Sequence, residues 1–246
     1  MFKRLIVFIA MLSSTYGYEV SGKLKLTSGV SQVEGSAGGG LTPWAVIGSY
    51  ATRDQVGANA FHTSARLTDY NLETTGLSIG LFNFVELTYA KQSFDTENVG
   101  AALGIGKGFK LEQEIFGIKA RVFGDVLLEQ DTFLPQVAVG VQYKDNKHET
   151  IVKSLGSTDN EGVDYYISAT KIHLKYSYLY NLTLRNTKAN QLGILGFGGN
   201  KNNSSKFYAE ASLGYILTPT LVIGAEYRMK PDNLNVAVED DWKDIF

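Results

Sequence analysis

No cysteine occurs in the 246 residues of the chain. No disulfide can therefore brace the fold, which separates this sequence from the small secreted domains that depend on them. A basic excess is missing too: 23 Lys and Arg stand against 25 Asp and Glu, for a formal charge of −2. Without surplus cations to displace counterions, nucleic acid is not an expected partner. Beyond the first residues, no stretch approaches the roughly 20 apolar residues of a transmembrane helix. None follows a helical period near 3.6, and no repeat of about 20–50 residues is visible.

What remains is 26 glycines, 14 tyrosines, 44% apolar and 20% charged residues, ordinary for a folded protein. The length suits one large all-β domain. Lys3 and Arg4 precede a short apolar run at 5–12, and Ser13, Ser14, Thr15 and Gly17 follow as small residues. This pattern predicts a signal peptide over residues 1–17, cleaved after Gly17, leaving 18–246 as an exported domain.

From residue 56 onward one period dominates, alternation with a repeat of two, which gives a strand two unlike faces. In 85–92, Val85, Leu87 and Tyr89 oppose Glu86, Thr88, Ala90 and Gln92. In 221–230, Leu221, Ile223, Ala225, Tyr227 and Met229 oppose Val222, Gly224, Glu226, Arg228 and Lys230. The same pattern predicts strands over 116–122, 137–144 and 207–215, and more weakly over 44–52, 56–67, 71–81, 163–174 and 181–189. Turn signals separate them at Asp54, 69–71, Asn83, Asn146, Asn181 and the Thr218-Pro219-Thr220 corner.

Three features point to an antiparallel transmembrane β-barrel rather than a soluble sandwich. The strands run about 9–12 residues, against a mode of about 5–6 in soluble sheets. Their apolar face carries aromatics such as Tyr89, Tyr143, Tyr215 and Tyr227, suited to a membrane interface. Connections alternate as well: 95–111, 145–162, 190–205 and the segment from 231 are long, whereas 82–84, 176–180 and 217–220 are short, with 53–55 and 68–70 both short and 127–134 intermediate. One further strand within 23–35 puts the long loops on the external side, for about eleven strands in all. The expected location is the cell outer membrane, with its lipids as partners.

By alternation the inward face carries Lys119, Arg121, Lys144, Arg185, Arg228 and Lys230 with Glu86, Glu210 and Glu226. Such a lumen could pass or bind small polar solutes, with charge setting selectivity, or be filled by ion pairs. The expected function is a pore or solute-transit protein. A non-conducting barrel serving envelope assembly is the rival class, and a lipid-hydrolysing barrel the third. For the last, His62 and Ser64 share one face of a strand, but Arg66 on the same face points them into the lumen, away from acyl chains. His148 and His173 lie apart from each other and from His62, so no transition-metal site is expected. Gly104-Ile105-Gly106-Lys107-Gly108 lacks the hydroxyl residue and helix of a phosphate loop and reads as an external loop. The acids Glu239, Asp240, Asp241 and Asp244 could hold calcium, though a solvated loop or interface edge fits them better. Residues 196–203 read as a loop tip. No catalytic residue, cofactor or metal is assigned.

Several blocks carry a family resemblance. They are Gly38-Gly39-Gly40-Leu41-Thr42-Pro43-Trp44-Ala45-Val46-Ile47 with Thr52-Arg53-Asp54-Gln55, and Leu134-Pro135-Gln136-Val137-Ala138-Val139-Gly140. Ala189-Asn190-Gln191-Leu192-Gly193, Gly224-Ala225-Glu226-Tyr227-Arg228, Lys230-Pro231-Asp232-Asn233-Leu234 and Glu239-Asp240-Asp241-Trp242-Lys243-Asp244 continue it. Together they resemble the bacterial family catalogued as domain of unknown function 3034. The resemblance implies an outer-membrane-type barrel and carries over no catalytic or binding residue. Family members run on by roughly three strands beyond the Asp-Asp-Trp-Lys segment, so the resemblance points to truncation from a barrel of about 14 strands, with a smaller barrel that closes early or pairs with another chain as the alternative.

Overall fold

The computed structural model describes residues 23, 28–102, 104–128, 130–218 and 221–235. The expected signal peptide and the acids from Glu239 onward lie outside the described residues. Two short strands, β1 (Val30–Ser31) and β2 (Ala37–Gly38), pair only with each other. Nine long strands follow: β3 (Val56–Arg66), β4 (Asn71–Leu81), β5 (Val85–Asp95), β6 (Lys110–Phe123), β7 (Gln136–Asn146), β8 (Glu161–His173), β9 (Tyr178–Thr187), β10 (Lys206–Thr218) and β11 (Leu221–Arg228). Each pairs antiparallel with its neighbours in the chain, giving one curled sheet in sequence order with β3 and β11 at its edges. Helices are few: α1 (Glu97–Ala102) and α2 (Glu149–Ser154) sit in the long loops. No described helix is long and apolar enough to cross a membrane.

The expected strands from 56 onward form, several of them longer than their alternation alone marked. The expectation for 44–52 and for 23–35 is corrected: neither described stretch joins the sheet. Residues 28–51 instead run along its concave face. Ala45, Val46 and Ile47 are buried in succession, so this stretch has no exposed apolar face to present as a wall strand would. Glycine fits it to the wall, since a Cβ at Gly39 would collide with the Glu226 carboxylate. Removing both stretches from the wall also keeps the loop pattern. The long connections 96–109, 147–160 and 188–205 fall at one end of the sheet together with the short 67–70, and the short 82–84 and 174–177 fall at the other together with the longer 124–135.

The sheet is polar inside and apolar outside. On the convex face Leu77 is 57% exposed, Leu182 62%, Leu213 60% and Phe207 69%, whereas Lys144 and Arg185 on the concave face are 0% and 1% exposed. Among the described residues, apolar cores form toward the two ends of the concave space. Ala37, Val46, Val126, Ile172 and Leu179 cluster near the short turns, with Trp44 packed against them. Leu111, Leu155, Ile194, Leu195 and Leu234 cluster near the long loops.

The occupied interior as candidate functional site

The inner segment is held by its own backbone. The Glu86 carboxylate on β5 accepts the amides of Ala37 (3.0 Å) and Gly48 (2.6 Å) and the Ser36 hydroxyl (2.9 Å). Lys119 on β6 pairs with Glu86 at 3.1 Å and donates to the carbonyls of Ala37 and Trp44. On β7, Gln136 donates to the Ala45 carbonyl (2.6 Å). The Pro43 carbonyl accepts from Ser168 on β8 and from Asn181 and Thr183 on β9. At the far edge, Glu226 on β11 accepts the Leu41 amide (2.6 Å) and the Thr42 hydroxyl, and Trp44 Nε1 donates to Ser212 on β10. Strands β5 to β11 therefore all grip one segment. Each such bond contributes only about 0.5–1.5 kcal/mol net, but leaving any of these buried groups unpaired costs more.

Within this interior lies an ion cluster that joins segment to wall. Arg228 donates to both oxygens of Glu34, Nη1 to Oε2 at 2.8 Å and Nη2 to Oε1 at 3.1 Å. Lys144 donates to Glu34 Oε1, and Arg185 Nη2 lies 3.4 Å from Oε2. The wall adds Asp164, 2.7 Å from Lys144 and 3.4 Å from Arg185, and Glu210, paired with Arg185 and 3.3 Å from Arg228. Arg185 also lies 5.1 Å from the centre of the Tyr166 ring, whose hydroxyl meets Ser36. Burial alone would raise the Glu34 carboxyl; the charges of Arg228, Lys144 and Arg185 override it and hold it well below the usual carboxylate range.

A second element enters from the long-loop end. The Leu192 carbonyl accepts from Lys144 (3.2 Å) and Gln113 (3.3 Å), and Asn146 donates to the Ile194 carbonyl. Gln191, Leu192 and Gly193 all adopt positive φ, which turns the chain inward sharply enough for this reach. The reading of 196–203 as a mere loop tip is corrected: Phe197 is fully buried and bridges Asp159 and Ala189 through its backbone.

Over residues 27–246 the chain matches the family described as protein of unknown function DUF3034. It belongs to that family. No curated protein and no solved structure matches it.

In this DUF3034 chain, the nine charges expected to face inward are distributed unequally. Glu86, Lys119, Lys144, Arg185, Glu210 and Arg228 are buried on the concave face, and Glu226 is half-buried there. Arg121 lies near the short turns, 3.7 Å from Asp125, which Arg53 also approaches at 3.4 Å. Lys230 lies past the end of β11, half-buried. Sequence reasoning missed Asp164 and Glu34, which balance the cations. Asp164 has the parity of Tyr166 and Ser168, so the alternation of β8 marks it; Glu34 lies in a segment with no strand partner in the wall, and no periodicity marks it.

The placement of His62 is corrected. It lies on the exposed face of β3 with Arg66, not toward the interior, because Asn59, Phe61 and Thr63 occupy the inward positions. Its Nδ1 is 2.9 Å from Thr75 Oγ1 across the strand pair. His148 packs edge-on to Phe109, and His173 meets the Tyr180 hydroxyl at 3.2 Å. Among the described residues no three His, Asp or Glu side chains converge as a metal site would require. Gly104, Gly106 and Gly108 form a turn that runs straight into β6 without a helix.

Proposed function

We propose that the protein is an outer-membrane barrel for the transit of small polar solutes, closed in the described state by its own N-terminal segment. The convex face supports the membrane location. Large apolar side chains there are about half exposed over strands β4 to β11, a face that a lipid surface would cover without a second sheet.

The observation that carries transit is the chemistry of the contact between plug and wall. Outside the apolar cluster of Ala37, Trp44 and Val46 near the short turns, both surfaces are polar: backbone amides and carbonyls on one side, carboxylates, amides, hydroxyls and cations on the other. If the segment withdraws, water can satisfy every polar group it leaves, which a wholly apolar filling would not allow. A polar contact therefore makes a displaceable plug.

The absence of native cysteine supplies a clean test. Thr42 Oγ1 and Ser212 Oγ lie 2.5 Å apart, so Thr42→Cys with Ser212→Cys places two thiols where a tether can form. In planar bilayers the wild-type protein should sit mostly closed with brief openings. The oxidised double variant should lose those openings, and reduction should restore them. Silence of both proteins across voltage and salt removes transit and leaves the non-conducting envelope barrel. That second reading draws on the same ion cluster, which is internally neutralised in the closed state.

A further inference from the structure

Without its plug residue, the ion cluster has a vacancy of defined shape and charge. Three cations, Lys144, Arg185 and Arg228, face two wall acids, Asp164 and Glu210, an excess of one positive charge. Glu34 removes that excess. It does so as a planar two-oxygen group: the Arg228 fork takes both oxygens, Lys144 adds to one and Arg185 to the other. A guanidinium fork matches a carboxylate in this way, whereas a lysine alone would accept any anion. All the groups are buried, so the interaction is little screened by salt.

We infer that Lys144, Arg185 and Arg228 form a carboxylate-binding site in the lumen, which Glu34 fills from within, and that the solutes served are small organic anions bearing a carboxylate. This rests on the transit reading for its purpose but not for its test. The plug segment thus acts as an internal competitor. A solute carboxylate and Glu34 exclude one another, so solute entering the site favours the withdrawn state.

Succinate is the probe, with the full chain refolded in detergent and, separately, in planar bilayers. Glu34→Gln keeps the shape of the plug residue but removes its charge, so the one excess positive charge returns and a solute carboxylate can displace the neutral side chain. Its melting temperature should rise with succinate, at concentrations about tenfold or more below those the wild-type protein needs, because the site is otherwise occupied. Glu34→Gln combined with Arg228→Gln should lose the response. In bilayers, open Glu34→Gln should favour anions over cations, and succinate should reduce its current. Equal responses in wild type and both variants would overturn the site, and tighter binding of inorganic phosphate than of succinate would overturn the carboxylate assignment. Should Glu34→Gln fail to fold, Glu34→Asp, with its carboxylate retracted by one methylene, takes its place. No greater succinate stabilisation than in wild type would then count against the proposal. Succinate binding without conductance keeps the site and removes transit. Conductance without succinate binding or anion preference keeps transit and removes the site.

Discussion

The two faces of the nine-stranded sheet are built by one rule and obey opposite chemistry. Leu182 and Arg185 sit three residues apart on β9 and so point to opposite sides. The first is 62% exposed, the second 1%. In a water-soluble sheet the apolar side would be the covered one. The inversion teaches that the inner face is stabilised by specific pairing, and so is sensitive to single substitutions, whereas the outer face needs only to remain apolar.

The largest expected effect breaks the inner face. Arg185→Leu leaves Glu34, Asp164 and Glu210 short of a shared cation. Urea unfolding of the refolded protein should show a loss of about 3–5 kcal/mol. A loss below about 1 kcal/mol would show that the buried charges do not hold the plug.

The outer face is broken by Leu182→Arg. In lipid vesicles it should cost about 2–4 kcal/mol if the side chain lies near the midplane. On a water-exposed surface the same change would fall within about 0.5 kcal/mol, so this one variant separates lipid from solvent.

A smaller effect should follow acidification. Glu34 has its carboxyl lowered in the folded state, so its contribution is present above the usual carboxylate pKa and is lost as pH falls through the depressed folded value. With Trp242→Phe, iodide quenching of Trp44 reports on the plug. Its protection should persist through the ordinary carboxylate range and give way only well below it. The groups facing Glu34 are Lys144, Arg185 and Arg228, with Asp164 and Glu210 behind them. Loss of protection near pH 5 would contradict this arrangement.

Lys23 shares this slope in a higher pH window, although its shift costs stability at neutral pH instead of adding it. Burial lowers its ammonium to about 8, against the upward pull of Glu86 and Asp125 and with the repulsion of Lys119 and Arg121. The unfolded chain then holds more protons between about pH 8 and pH 10, so stability should rise modestly with pH across that window. Lys23→Met should flatten the rise. Smallest of all, Lys153→Ala breaks only an exposed pair with Glu149 in α2 and should leave the unfolding midpoint unchanged.

The wall was legible because its physics is periodic. Alternation in 85–92, 116–122, 137–144, 207–215 and 221–230 assigns each side chain its face, and with it the buried charges from Glu86 to Arg228. The plug was not legible for the converse reason. Residues 28–51 satisfy their backbone through side chains of strands up to 187 positions away, such as Arg228 on the Leu41 carbonyl. No local pattern encodes a partner at that distance. Leu24, Leu26 and 44–52 therefore look like weak strands, although the described part of that stretch fills the space the strands enclose. The exposed setting of His62 went unread because β3 is rich in small residues, leaving its two faces nearly alike in polarity.

One consequence of the grip at Glu226 and Arg228 concerns the order of assembly. Both belong to β11, the last described strand of the sheet, and they hold Leu41 and Glu34, 185 and 194 positions earlier in the chain. Closure of so wide a sequence separation is a late and slow event in any folding reaction. The N-terminal segment must therefore wait, loosely lodged, until the final hairpin arrives to fasten it. An incompletely zipped molecule would be one with an unlatched gate, and sealing would itself report that β11 has joined the sheet.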